Sequence, residues 1–127
     1  MDTLIFDVDG TICPIKGKNQ LYEDLVPYSN IVKKMREYKV KGYRIVLFTA
    51  RNMRTYNGDI KKILKYTKPI LEQWLMKWNI PYDEIIYGKP WPGPHGLYID
   101  DRSIRPRDFL EKDLEEINKI CEIDRNI

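Results

Sequence analysis

Polar side chains that could do chemistry follow each of four hydrophobic runs in this 127-residue sequence. They are Asp7 and Asp9 after the first run, Thr49 after the second, Lys89 after the third, and Asp100 and Asp101 after the fourth. The carboxyl ends of parallel strands meet at one edge of a sheet, where ligands bind. If the four runs are parallel strands, these side chains gather into one site.

The four carboxylates of this predicted site indicate a bound cation, since like charges held close together disfavour ionisation unless they are neutralised. The sequence has a single histidine, His95, and no zinc-type set of His and Cys ligands. Carboxylate oxygens favour a hard cation such as Mg²⁺. We therefore predict a Mg²⁺ site whose metal-binding residues come from the list Asp7, Asp9, Asp100 and Asp101.

The remaining polar side chains of the set suit a phosphate group. Lys89 would hold phosphate oxygens as a point charge and Thr49 as a hydrogen-bond donor. Arg51, two residues after Thr49, is predicted to contact the substrate or its phosphate, with a salt bridge within the loop as the alternative. Phosphoryl transfer depends mainly on positioning and charge neutralisation, which this set would supply.

Asp7 and Asp9 have the spacing of an acting pair, because side chains at i and i+2 leave a strand on the same side. Asp7 is predicted to be the nucleophile that forms an aspartyl-phosphate, and Asp9 the general acid and base. Gly10 allows a sharp turn and Thr11 can brace it, and we assign both to substrate binding. An ordinary turn after a strand is the alternative for Asp9-Gly10.

The elements that must position these residues alternate along the chain. Strands are predicted at residues 3–8, 43–49, 83–87 and 97–100. Helices are predicted at residues 28–40, 58–66, 67–78 and 106–122, with a loop or flap at residues 11–26. This alternation predicts an α/β fold, a doubly wound parallel sheet with helices on both faces, in one domain over residues 1–127.

Composition limits the class of protein. A net charge of +3 without a clustered basic stripe argues against a nucleic-acid partner. No apolar run approaches about 18 residues, so no membrane span is expected, and the first residues lack the pattern of a secretory signal. We predict a cytoplasmic protein in which Cys13 and Cys121 are unbridged thiols.

The same residues carry a resemblance to a known family. The motifs, in chain order, are DVDGT at 7–11, Thr49 in LFTAR, Lys89 in GKP, and LYIDD at 97–101. The first resembles the first motif of the haloacid dehalogenase superfamily of phosphotransferases, and the others look like its second, third and fourth motifs. The resemblance implies a Mg²⁺-dependent phosphatase with a Rossmann-like fold.

The resemblance also implies roles for individual residues. Asp7 is the nucleophile and Asp9 the acid and base, while Asp7, the Asp9 main-chain carbonyl and an aspartate of the fourth motif bind Mg²⁺. The commoner fourth motif has Gly-Asp followed by a further acid, whereas here Asp100 stands in place of the glycine and Arg102 follows. We favour Asp101 as the metal ligand, with Asp100 as the alternative.

Many members of the superfamily carry a cap domain over the site. Neither residues 11–26 nor the stretch between Thr49 and Lys89 has room for a further domain of about 50 residues. The chain therefore looks like a capless member, similar to compact phosphatases found with bacterial capsule and surface-polysaccharide genes. That similarity implies a small phosphorylated sugar or related metabolite as substrate. We favour a homo-oligomer, with a monomer as the alternative.

Two other functions compete with the phosphatase. A phospho-accepting receiver domain has a similar length and similar residue types, but its phosphorylated aspartate ends a middle strand, where this chain has Thr49. A catalytically dead binding module would have no reason to keep the whole set of catalytic residue types. Both alternatives stay open, and the lifetime of phosphate on the protein distinguishes them from a phosphatase.

Overall fold

A parallel sheet organises the first of two units in this chain, whose residues 2–126 are described by a computed structural model. The first unit extends to Trp91 and the second begins at Pro92. Over the described residues the sheet has three strands, in the order β1-β2-β3, all parallel. They are β1 (Thr3–Phe6), β2 (Arg44–Thr49) and β3 (Glu84–Tyr87). The predicted α/β class with a parallel sheet is confirmed.

Helices connect these strands. In the first unit they are α1 (Ser29–Val40), α2 (Ile60–Lys62) and α3 (Lys68–Lys77), with a π-helical turn, Ile63–Thr67, between the last two. Asp59 caps α2 by accepting hydrogen bonds from the main-chain N–H groups of Lys61 and Lys62, which satisfies donors that a helix start leaves open. Over residues 2–126 no helix is long and apolar enough to cross a membrane.

Helices α1 and α3 are neighbours. Arg36 on α1 donates hydrogen bonds to the carbonyls of Trp78 and Asn79, just past the end of α3, at 3.2 and 3.0 Å. Both crossovers advance in the same direction along the sheet, and right-handed crossovers of that kind place their helices on one face. The three strands are therefore covered from one side.

The other face of the sheet has exposed apolar side chains. In the strand register, Ile5, Val46, Phe48 and Ile86 share this face, which we call the open face. Val46 is buried, but Ile5 is 65% exposed and Ile86 is 42% exposed. On the opposite face Phe6 and Leu47 are buried. The sheet thus packs its core on the helix side.

The predicted fourth strand at residues 97–100 is wrong for this chain. The structure has no strand there, and Leu97 and Ile99 are 80% and 96% exposed. The run has strand-forming residues, but a strand is stable only beside a partner. Residue preference alone therefore did not decide the outcome.

The predicted single helix over residues 106–122 is two helices, α4 (Pro106–Glu111) and α5 (Leu114–Arg125). The break comes at Asp113, whose carboxylate accepts a hydrogen bond from the main-chain N–H of Glu116 at 2.9 Å. An aspartate that bonds to the main chain in this way starts a new helix rather than continuing the old one.

Candidate active site at the carboxyl ends of the strands

A tight turn follows β1. The Val8 carbonyl accepts hydrogen bonds from the N–H groups of Thr11 and Ile12 at 3.1 and 2.9 Å, and Gly10 donates to the Cys13 carbonyl at 2.7 Å. Gly10 has φ of +86°, a conformation that glycine adopts at little cost. The turn predicted at Gly10 is confirmed, and Thr11 braces it through its main chain.

Asp7 and Lys89 face each other at the ends of β1 and β3. The Lys89 ammonium Nζ lies 3.8 Å from Asp7 Oδ1. Burial raises the pKa of Asp7 above its ordinary value of 3.8, and the charge of Lys89 opposes that rise. A partly buried carboxylate beside a cation is suited to meet a phosphoryl group.

Asp9 is held by Arg51. The guanidinium donates from Nε to Asp9 Oδ2 at 3.0 Å and from Nη2 to Asp9 Oδ1 at 2.9 Å. The Arg51 side chain is 1% exposed and that of Asp9 is 23% exposed. Arg51 therefore makes a salt bridge within the site, which was the alternative to the predicted substrate contact.

Arg51 also keeps an unused donor. Its Nη1 is buried and has no hydrogen-bond partner within residues 2–126. Buried polar atoms are nearly always hydrogen-bonded, so a lone donor of this kind marks a place where a further oxygen could bind. Substrate contact by Arg51 thus stays a prediction, through Nη1.

Thr49 joins Arg51 and Lys89. Its side chain is buried, and its hydroxyl accepts a hydrogen bond from the Arg51 N–H at 3.0 Å. Its carbonyl accepts one from the Lys89 N–H at 3.1 Å. A hydroxyl that accepts one bond still carries a proton to donate, so Thr49 keeps a hydrogen-bond donor while it binds the main chains of Arg51 and Lys89.

Two further residues, Tyr22 and Cys13, lie near Asp9 and Arg51. The ring of Tyr22 lies 4.2 Å from the Arg51 guanidinium carbon, and burial raises the pKa of the Tyr22 hydroxyl. The Cys13 thiol lies 3.7 Å from Asp9 Oδ1, and burial, reinforced by that carboxylate, raises its pKa to about 12. The thiol thus stays protonated at neutral pH and takes no part in our account of the chemistry. No local pattern links Tyr22 to Arg51, because the two are far apart in the chain.

The predicted site residues fall into two groups. The structure brings together Asp7, Asp9, Gly10, Thr11, Thr49, Arg51 and Lys89 in the first unit. Asp100 and Asp101 belong to the second unit. There Asp101 accepts a hydrogen bond from Arg125 Nε at 2.9 Å, which lowers the pKa of Asp101, and Asp100 accepts one from the Arg102 N–H at 2.9 Å.

The predicted Mg²⁺ site can be compared with these donors. Asp7 and Asp9 offer hard oxygens, which suit Mg²⁺ in kind. Both Asp9 oxygens accept hydrogen bonds from Arg51, however. Within residues 2–126 no three His, Cys, Asp or Glu side chains are grouped so that they could hold a metal. The first unit therefore supplies the right type of ligand but not the number.

The fold and the site define a small α/β protein with charged and polar residues at the carboxyl ends of parallel strands. No protein-family model and no curated protein matches the sequence. The crystal structure of a Vibrio cholerae protein, an MCSG target, is 45% identical in sequence with a TM-score of 0.91, and the match covers 98% of this chain and 99% of that one. The chain belongs to the same family as that Vibrio cholerae protein.

A second solved structure shares the fold alone. It is a chain of the Pnkp1/Rnl/Hen1 complex, 20% identical in sequence with a TM-score of 0.52. The match covers 87% of this chain and 34% of that chain. Similarity at this level supports the α/β architecture of the chain and carries no information on its reaction.

Proposed function

We propose that the chain is a cytoplasmic, Mg²⁺-dependent phosphomonoesterase, a capless member of the haloacid dehalogenase superfamily that works through an aspartyl-phosphate. The observation that carries the proposal is the pair formed by Asp7 and Lys89, whose charged atoms lie 3.8 Å apart at the carboxyl ends of two parallel strands. A carboxylate nucleophile and a phosphate-binding cation need this proximity.

Asp7 performs the first step of the proposed reaction. One of its carboxylate oxygens attacks phosphorus, forming an Asp–O–P bond while the bond from phosphorus to the substrate oxygen breaks. The side chain of Asp7 is partly buried, and this burial raises the pKa of its carboxyl group. Lys89 offsets the negative charge that builds up when a phosphate approaches a carboxylate.

Asp9 moves the proton in both steps. It gives a proton to the leaving oxygen and then takes one from the water that hydrolyses the aspartyl-phosphate. Arg51 fixes the direction of this carboxylate through two hydrogen bonds. Oδ1 also accepts from the Cys13 thiol, whereas among residues 2–126 Oδ2 accepts only from Arg51 Nε, so the second lone pair of Oδ2 can take part in proton transfer.

The phosphate is held by donors around Asp7. The Thr49 hydroxyl and the Lys89 ammonium donate hydrogen bonds to the phosphate oxygens. The N–H groups of Gly10 and Thr11 are already used within the turn, so the substrate contact that we assign to Thr11 comes from its hydroxyl, while Gly10 lets the substrate approach the main chain. The Nη1 atom of Arg51 is a further donor.

Mg²⁺ would neutralise charge on the phosphate and on Asp7 when bound. We propose Asp7, the Asp9 carbonyl, and Asp101 or Asp100 as its ligands. Aspartates of the second unit would supply the number of oxygens that the first unit lacks. We also propose the finer part of the fold prediction, a doubly wound sheet with helices on both faces.

Release of phosphate from an aryl phosphate tests the proposal. Wild-type protein should release phosphate with Mg²⁺, and excess chelator should stop the release. A receiver would accept phosphate from a small donor and retain it, while a dead module would accept none. A panel of phosphorylated sugars, polyols, nucleotides and amino acids would then identify the substrate, which we propose is a small phosphorylated sugar or a related metabolite.

A further inference from the structure

The outer side of β1 can accept another strand. In the described sheet β1 is the terminal strand, paired with β2 on its inner side. Ile5, in the middle of β1, is 65% exposed on the open face. Terminal strands with exposed apolar residues act as templates for pairing with further strands. The first unit therefore presents an acceptor consisting of the β1 edge and the open face.

The second unit contains a matching segment, Leu97–Asp101. Leu97 and Ile99 are almost fully exposed, and the segment forms no strand in this chain. Its sequence, LYIDD, is rich in residues that favour strands and ends in two aspartates. Exposed apolar residues in succession indicate a surface that binds a partner.

The second unit is also too small to be stable by itself. It begins at Pro92 and is shorter than the roughly 40 residues below which domains usually need disulfides, metals or oligomerisation. Cys121 is a free thiol. The buried apolar side chains of the second unit are Phe109, Ile117 and Cys121. A core of this size calls for packing against another body.

We propose that two copies of the chain exchange these segments. Leu97–Asp101 of each copy adds as a parallel strand to the outer side of β1 in the other copy. Asp7 follows β1 and Asp101 ends the segment, so parallel pairing brings both aspartates to the same end. Ile5 precedes Asp7 by two residues and Ile99 precedes Asp101 by two, so the same pairing sets Ile5 beside Ile99.

The second copy is favoured over the chain's own sheet for two reasons. Residues 97–101 form no strand in the described chain, whose sheet has three strands, and a symmetric pair satisfies both acceptors and both segments at once. The connection between β3 and the segment also contains Pro90, Pro92 and Pro94. Proline fixes its own φ and keeps the preceding residue extended, which restricts the backbone conformations of this connection.

The inference extends the proposed function and rests on it in one respect, the role of the exchanged aspartates as the missing metal ligands. Each site would then contain Asp7 of one copy and Asp100 and Asp101 of the other. A single chain would hold an incomplete site, and the pair would hold two complete ones.

A disulfide test detects the exchange without using activity. Protein carrying Ile5→Cys is mixed and co-refolded with protein carrying Ile99→Cys, then oxidised, with each variant alone as control. We expect a covalent dimer in the mixture well above the controls. A chain carrying both substitutions that forms only an internal disulfide would overturn the exchange, and so would a mixture that stays monomeric.

Solution mass provides a second readout. Light scattering of the wild-type chain should give about twice 15.2 kDa or a multiple of that dimer. Ile5→Glu should shift the mass toward the monomer. Met76→Glu introduces the same charge at an exposed apolar position of α3 and should leave the mass unchanged. A wild-type mass of 15.2 kDa would contradict the inference.

Complementation connects the exchange with the reaction. Asp7→Asn protein and Asp100→Asn/Asp101→Asn protein should each be inactive, and co-refolding should restore about a quarter of wild-type activity, since half the pairs are mixed and each has one intact site. If the wild type is active and the mixture of two folded variants is inactive, the exchange of segments is wrong and the phosphatase proposal is unaffected. If the Ile5→Cys and Ile99→Cys mixture forms the disulfide dimer but the wild type has no activity, the exchange is supported and the phosphatase proposal is wrong.

Discussion

Arg51 binds the carboxylate of Asp9 with two hydrogen bonds, from Nε to Oδ2 at 3.0 Å and from Nη2 to Oδ1 at 2.9 Å. The guanidinium is almost fully buried, so Asp9 is the counter-ion that makes its burial tolerable. Tyr22 covers the same guanidinium from the flap. The residue that we propose as acid and base therefore also supports the packing of the site.

Asp9→Asn should lower the free energy of unfolding by about 2 kcal/mol, because it leaves a buried Arg51 charge without its counter-ion. Arg51→Met in the same chain should recover part of that loss, since replacing both partners of a buried pair is often neutral. Urea unfolding of the two single variants and the double variant measures the coupling. Additive effects would show that the pair contributes nothing to stability.

Asp7→Asn should behave in the opposite way, and its effect should depend on pH. Burial raises the folded-state pKa of Asp7 above 3.8, so the folded protein binds this proton more tightly than the unfolded chain. The contribution of Asp7 to stability therefore falls as pH rises from 3.8 through the folded pKa. In metal-free protein, Asp7→Asn should be at least as stable as wild type at neutral pH, and the difference should shrink toward acid pH. A difference that grows toward acid pH would contradict the raised pKa.

Lys89→Met and Thr49→Val should each reduce kcat/KM at least about tenfold. Each replacement has a shape similar to the original side chain but lacks the group that donates a hydrogen bond to the phosphate. Both should leave the fold intact by circular dichroism. Lys61→Met, on the surface of α2, is the matched control and should keep full activity. Equal activity of Lys89→Met and Lys61→Met would remove Lys89 from the site.

Tyr22→Ala should raise KM and weaken selectivity between substrates, because it removes the aromatic ring that covers Arg51. Tyr22→Phe keeps the ring and should retain near wild-type values, since the cation–π contact does not need the hydroxyl. Steady-state kinetics on two substrates with the same leaving group separates the two variants. Equal losses in both would assign the role to the hydroxyl instead.

The strand ends were predictable from the sequence because hydrophobic runs interrupted by Asp7, Thr49 and Lys89 follow a local pattern. For Arg51 the sequence predicted a loop salt bridge as one alternative but not its partner. The partner, Asp9, is set by how β1 and β2 pair. Asp7→Asn and Asp9→Asn are the same change two residues apart in the sequence, and the contact of Asp9 with Arg51 distinguishes their expected effects on stability.

The segment at residues 97–100 shows where local pattern fails. Its residues favour a strand, yet strand formation depends on a partner edge that lies outside the segment. The last helix fails for a different reason, because the side chain of Asp113 captures a main-chain donor and restarts the helix. Both errors arise from contacts that periodicity does not encode.

Trapping of the phosphorylated protein tests the central claim most directly. Wild-type, Asp9→Asn and Asp7→Asn proteins are mixed with Mg²⁺ and an aryl phosphate whose leaving group needs no proton, quenched in acid and mapped by mass spectrometry. We expect phosphate on Asp7, accumulating most in Asp9→Asn because the water that hydrolyses the intermediate loses its base. Asp7→Asn should carry none. Phosphate on another residue, or steady turnover by Asp7→Asn, would contradict the account.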